Sequence, residues 1–252
     1  MKKLALLIVL FSISVMSFAQ EGLTLGGHFS YNSTWLLNKQ VFDEGAEMDV
    51  AVSYGNYYGI IAGYYFSKNL GVELNFNVNK LVQKYEGKID YLFSTLYPDP
   101  NSYTAATVIR TTDIPILLKF GSNSYFELGP LVQLVNKATY TRTFNETNSL
   151  KPGWYNGTSY GFSNVSSIGV KSDFNSLGFG VVMGFGANFN LIEDVLKLNF
   201  GLRFNYILSD LGGVNALGLN KDSNYVLTDE KINFYSHPLY GGLKLGLVYY
   251  FD

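Results

Sequence analysis

Few residues in this chain have the type and spacing to do chemistry. The only two histidines, His28 and His237, stand far apart. His237 follows Ser236, and Asp229 and Glu230 lie in the same polar stretch, so one reading is a Ser–His–acid catalytic group. Catalytic triads are set by spatial geometry rather than by neighbours in a polar loop. The chain contains no GxSxG, HExxH or phosphate-loop spacing. We therefore read it as a non-enzyme and assign no catalytic residue.

Asp43, Glu44, Glu47 and Asp49 form a dense acidic group. A calcium site needs oxygens converging on one ion, and the EF-hand spacing is missing here. These residues are expected to form a solvated acidic loop. Cysteine is absent, which excludes disulfides and thiolate-held zinc or iron–sulfur centres. No cofactor and no metal site is expected. Acceptor triplets for glycosylation beginning at Asn32, Asn145, Asn156 and Asn164 are read as chance matches.

Seven charges are more informative because of where they fall: Glu73, Asp113, Lys119, Glu127, Lys197, Arg203 and Lys244. Each lies between residues that alternate with period two. Leu196, Leu198, Phe200, Leu202, Phe204 and Tyr206 are apolar, whereas Lys197, Asn199, Gly201, Arg203 and Asn205 are polar or small. Leu177, Phe179, Val181, Met183 and Phe185 alternate with Gly178, Gly180, Val182, Gly184 and Gly186. Leu243, Leu245, Leu247, Tyr249 and Phe251 do so with Lys244, Gly246, Val248 and Tyr250. Successive side chains of a strand point to opposite faces, so each segment is a strand with one apolar face. The same pattern recurs in 23–35, 57–67, 71–84, 107–120 and 125–137. It predicts eight strands of about 11 to 14 residues, longer than the ~5–6 usual in globular sheets and close to the ~9–11 needed to cross a bilayer.

Short connections at 67–70, 121–124 and 191–194 alternate with long polar stretches near 36–54, 88–106, 138–175 and 210–236. An even number of strands with short turns at one rim and long loops at the other predicts an all-β fold, an eight-stranded antiparallel transmembrane β-barrel with periplasmic turns and extracellular loops. Lipid cannot satisfy an open strand edge, so such a sheet must close. A lipocalin-like barrel would turn its apolar faces inward and carry Lys and Glu outside, and a two-sheet sandwich would have shorter strands. The bore of eight strands is just wide enough for its own side chains. The seven charges are therefore expected to face the lumen and pair, forming a structural plug. Trp35, Tyr57, Tyr58, Tyr64, Phe66, Tyr85, Phe120, Tyr125, Tyr206, Tyr249 and Phe251 are expected in interfacial girdles.

Composition agrees with this reading. Of 252 residues, 15% are charged, against about 25% in an average soluble domain, and 16% are aromatic. The formal charge of −2 argues against a nucleic-acid partner, which selects for a basic surface. Lys2 and Lys3, an apolar run from Leu4 to Met16, and Ser17-Phe18-Ala19 predict a secretory signal over residues 1–19, with the barrel domain spanning 20–252.

The stretches 59–74 (GIIAGYYFSKNLGVEL), 113–119 (DIPILLK), 126–130 (FELGP) and 243–251 (LKLGLVYYF) are similar to the PorT-like outer-membrane β-barrel family of Gram-negative bacteria. The resemblance implies insertion by the outer-membrane assembly machinery and contact with outer-membrane lipid and lipopolysaccharide. With the loop pattern, it leads to a closed barrel with a structural, interaction or secretion/assembly-accessory role, and a protein partner at the long loops. A barrel binding a small molecule or lipid, in the lumen or among the loops, is the alternative; likeness to small outer-membrane barrels that modify lipid A with a His beside Ser or Asp makes such an enzyme, at His237, the less favoured one.

Overall fold

A computed structural model describes residues 21–89, 101–144, 153–155, 158–160, 164–193, 195–213, 217 and 235–251. The predicted signal segment, and Asp229 and Glu230, lie outside these residues. Eight long strands follow one another: β1 (Glu21–Asn38), β2 (Tyr54–Ser67), β3 (Leu70–Ile89), β4 (Asn101–Phe120), β5 (Ser124–Phe144), β6 (Leu177–Ile192), β7 (Leu196–Ile207) and β8 (Ser236–Tyr250). Each pairs antiparallel with its sequence neighbours, and β8 returns to β1 through a register running from Thr24–Tyr250 to Asn38–Ser236. The sheet is a closed eight-stranded barrel. Among the described residues no helix is long and apolar enough to cross a membrane.

Short turns join β2 to β3, β4 to β5 and β6 to β7. Gly121 opens the second of these at φ +96°, a left-handed conformation that a side chain would disfavour. The turns are also tied to their neighbours: the Gly121 N–H donates to the Asn69 carbonyl of the first turn at 2.8 Å, and the Asn188 N–H of β6 to the Asn123 carbonyl of the second at 2.7 Å. At the other rim, a one-turn helix (Lys39–Asp43) and a short strand (Asp49–Ala51) precede β2, and the strand Val165–Gly169 adds to the upper end of β5.

The outward faces near the short turns are apolar and exposed: Leu25, Ile60, Leu74, Ile116, Leu128, Phe185, Phe200 and Leu245 all point away from the barrel. This is the reverse of a water-soluble barrel and matches a hydrocarbon surround.

Two expectations change. The strands run to 20, 20 and 21 residues in β3, β4 and β5, well past 11 to 14. Residues 88–89 and 101–106 and the start of 138–175, expected as loop, are paired strand. Its polarity is inverted. Leu81, Tyr85, Tyr103, Ala105, Ile109, Ala138, Tyr140 and Phe144 point inward and join Leu36, Val41, Val170, Phe174 and Leu211 in a buried apolar core. Lys80, Lys84, Lys88 and Arg110 point outward and are exposed. Beyond the apolar belt the barrel behaves like a water-soluble one, because water rather than lipid then wets the outer face.

The second change concerns the aromatics. Tyr57, Tyr85 and Tyr125 are buried inside the barrel rather than set in a girdle. The cause is parity: Tyr57 alternates with the outward Tyr58, Tyr85 shares the phase of Glu73, and Tyr125 that of Glu127.

Candidate functional site: the occluded lumen

The structure places Glu73, Asp113, Lys119, Glu127, Arg203 and Lys244 inside the barrel, all buried. They form three groups. Lys119 Nζ lies 2.9 Å from Glu73 Oε1, which also accepts from the Tyr65 hydroxyl at 3.0 Å. Glu127 takes two cations: Arg203 Nε donates to Oε1 at 2.5 Å and Lys244 Nζ to Oε2 at 3.0 Å. The ring of Tyr125 sits beside Lys119 and Lys244, its centroid 4.2 and 5.3 Å from their Nζ atoms, and its hydroxyl donates to Asn199 Oδ1 at 2.9 Å. With its amide oxygen turned toward Arg203, Asn75 accepts from Nη1 at 3.0 Å and Nη2 at 3.2 Å. Burying a charge is costly unless it is paired and hydrogen-bonded, and the charges of these two ionic groups are both.

The geometry of the Glu127 group comes from register. Glu127 on β5 stands opposite Gly184 on β6, and Gly184 opposite Arg203 on β7. The acid and the base are therefore two strands apart and meet across a residue without a side chain. A Cβ on Gly184 would sit 2.5 Å from Glu127 Oε1. Gly186 and Gly201 leave room in the same way for Tyr125, whose hydroxyl would lie 2.6 Å from a Cβ on either.

Asp113 stands apart, one level up. It accepts from Asn79 Nδ2 and Thr111 Oγ1 at 2.8 Å, Gln133 Nε2 at 3.0 Å and the Tyr240 hydroxyl at 2.5 Å. Four neutral donors replace a cation here. This polar layer divides the ionic lower lumen from the apolar core above. Lys197 does not join either group. It is half-exposed at the short-turn rim, its Nζ 4.3 Å from the centre of the Tyr250 ring, because its register partner Val248 places it level with the end of β8.

The other candidate residues are dispersed. His28 is buried in the lumen with Nε2 2.6 Å from Asn77 Oδ1. Ser236 and His237 point to opposite faces of β8, and His237 Nδ1 meets the Ile207 carbonyl at 3.2 Å, so the two do not form a nucleophile–base pair. Asp43 pairs with Lys39 at 2.8 Å. Among the described residues no three of His, Cys, Asp and Glu gather as metal ligands.

The wall stays continuous above the end of β2. There the Thr34 hydroxyl donates to the Val82 carbonyl, and the Leu36 N–H donates to Gln83 Oε1 at 2.8 Å. A closed ring with an apolar exterior and a filled polar interior now stands beside one further observation: residues 18–212 match the outer membrane protein beta-barrel domain. The chain belongs to that family. The match covers β1 to β7 of this outer-membrane barrel, and β8 closes the ring beyond it.

Solved outer-membrane barrels resemble this family member at low identity. Neisserial surface protein A is 13% identical, with 91% of this chain and 97% of that one covered and a TM-score of 0.33. OprG from Pseudomonas aeruginosa is 13% identical over 92% and 96%, with a TM-score of 0.38. Ail, the attachment invasion locus protein of Yersinia pestis, is 13% identical over 92% and 100%, with a TM-score of 0.34. At this level they say nothing about role. No curated protein matches the chain.

Proposed function

We infer that this barrel is a non-porin outer-membrane protein of the PorT-like branch, a structural, interaction or secretion/assembly-accessory protein. It is delivered by a cleaved signal, inserted by the outer-membrane assembly machinery, and oriented with its short turns in the periplasm. It works through its long-loop end, where a protein partner docks, rather than by conduction or catalysis. One observation carries this reading: Arg203, Lys119 and Lys244 are fully buried across the bore, and an apolar core that includes Tyr57 and Tyr240 closes it above them. A paired ionic layer beneath an apolar layer offers no continuous aqueous path.

Purified full-length protein in planar bilayers should give no stable conductance steps; large steps would overturn the reading. Protease shaving of whole cells should cut the long-loop end and leave the short turns intact, and cleavage at Lys68 from outside would reverse the orientation. Affinity capture from native outer membranes should recover a stoichiometric protein partner, and recovery of the barrel alone would remove the interaction role.

A further inference from the structure

The outward face just beyond the apolar belt carries three cations side by side. Lys80 on β3 stands opposite Arg110 on β4, and Arg110 stands opposite Lys137 on β5. All three are exposed. Directly opposed residues on neighbouring strands have Cβ atoms about 4.5–5.5 Å apart, and like charges so placed repel. The row therefore costs stability unless an anion sits on it. Among the described residues, no carboxylate reaches ion-pair distance of any of the three. The chain as a whole is slightly acidic, so overall composition does not explain this concentration of positive charge.

The row is also built by an irregularity. Between Thr111–Val135 and Arg110–Lys137 the β4–β5 register shifts by one residue, and Asn136 is the extra one. Leu131, Gln133 and Val135 point inward, so unbroken alternation would bury Lys137. The bulge turns Lys137 outward and brings Ala138 and Tyr140 in behind it. A bulge re-aims a side chain in this way. Asn136 is held beside the row by a 2.8 Å bond to Thr112 Oγ1.

Height selects the ligand. Lys80 lies two residues beyond the exposed Val78, and Lys137 three beyond the exposed Leu134. At about 3.3 Å per residue along strands tilted ~35–45°, this is roughly 5–8 Å above the last exposed apolar row and just below the half-buried pair Val82–Val108, the level at which lipid headgroups begin. We propose that Lys80, Arg110 and Lys137 form a binding site for the phosphates of an outer-leaflet glycolipid, clamping one lipid A headgroup against β3–β5. Arg110, in the centre, offers a planar fork suited to two phosphate oxygens, with the lysines as flanking point charges. The site rests on the orientation proposed above.

The test uses the full mature chain in detergent micelles and native mass spectrometry. Diphosphoryl lipid A should be retained at one per barrel, while dephosphorylated lipid A and inorganic phosphate at equal concentration should not. Lys80→Gln/Arg110→Gln/Lys137→Gln should weaken binding on the order of 100-fold, from ~1 kcal/mol per cation near a membrane surface. Lys39→Gln/Lys68→Gln/Lys171→Gln, which removes as much charge elsewhere, should leave it within about threefold of the unmodified protein.

Unchanged affinity in the folded row variant, or equal binding of dephosphorylated lipid A, would overturn the proposal. So would tighter binding of a soluble polyanion such as heparin at the same three residues, which would reassign the row to an acidic partner. If the triple variant fails to fold, Arg110→Gln should lose about tenfold and Arg110→Lys most of that less; equal loss in both would count against the bidentate role. Whole-cell shaving reads orientation separately. A wrong orientation leaves lipid A binding intact, whereas a wrong site abolishes the difference between variants with orientation unchanged.

Discussion

Glu127 and Arg203 meet across Gly184: the two charged residues sit on β5 and β7, and the glycine between them on β6 contributes no side chain, so Nε reaches Oε1 at 2.5 Å in full burial. Lys119 stands directly opposite Glu127 on β4 yet bonds Glu73 instead. Partner choice in this lumen follows the space the glycines leave as well as adjacency on the sheet.

Removing Glu127 should be more damaging than removing the whole group. Glu127→Ala leaves Arg203 and Lys244 buried without their carboxylate, and breaking a buried pair from one side costs about 3–5 kcal/mol. The combined Glu127→Leu/Arg203→Met/Lys244→Met variant should lose less, because no unpaired charge remains. Urea midpoints of the barrel refolded into liposomes check this; a combined variant weaker than Glu127→Ala would contradict it.

Gly184→Val should act through Glu127. The added side chain meets Oε1 and forces the carboxylate away from Arg203. A loss of about 1–3 kcal/mol is expected, as for overpacking in a filled interior. In the Glu127→Ala background the same substitution should cost less, and a double-mutant cycle showing no coupling would remove Gly184 from the account.

Tyr240→Phe tests the upper polar layer. It deletes one of four donors to Asp113 and should destabilise by about 1–3 kcal/mol, since the buried carboxylate loses a bond it cannot replace. Tyr54→Phe, an exposed outward tyrosine, should stay within about 0.5 kcal/mol.

The inverted polarity beyond the belt has its own signature. Although Lys80, Lys84 and Arg110 are exposed, they lie in paired strands, so trypsin should spare them in the folded barrel. Ile109→Asp places a charge in the apolar core and should open these sites to cleavage. Cleavage at Lys84 in the unmodified protein would show that this part of the wall is not formed.

Alternation made the lower barrel legible. It sets the phase of each strand there: Glu73, Asp113, Lys119, Glu127, Arg203 and Lys244 lie buried in the lumen and Lys197 at its rim, because side-chain direction on a strand is local geometry. The same phase continues through Leu81 and Tyr85 and would have revealed the longer strands. An apolar outward face marks a strand only within the lipid belt and is lost where water replaces lipid. Tyr57, Tyr85 and Tyr125 face the lumen for a related reason: parity along the strand, not residue type, sets the side on which a residue lies.

The sequence alone determined an eight-strand, two-faced sheet and the residues on its inner side, since period two follows from the backbone of each strand by itself. Only the tertiary structure decided which inner residues touch. Register between strands far apart in the chain puts Gly184 between Glu127 and Arg203, sets Lys197 at the rim beside Tyr250, and through one bulge turns Lys137 outward to stand beside Arg110. Those placements depend on closure of the whole ring, in which a shift of one residue reverses every face beyond it.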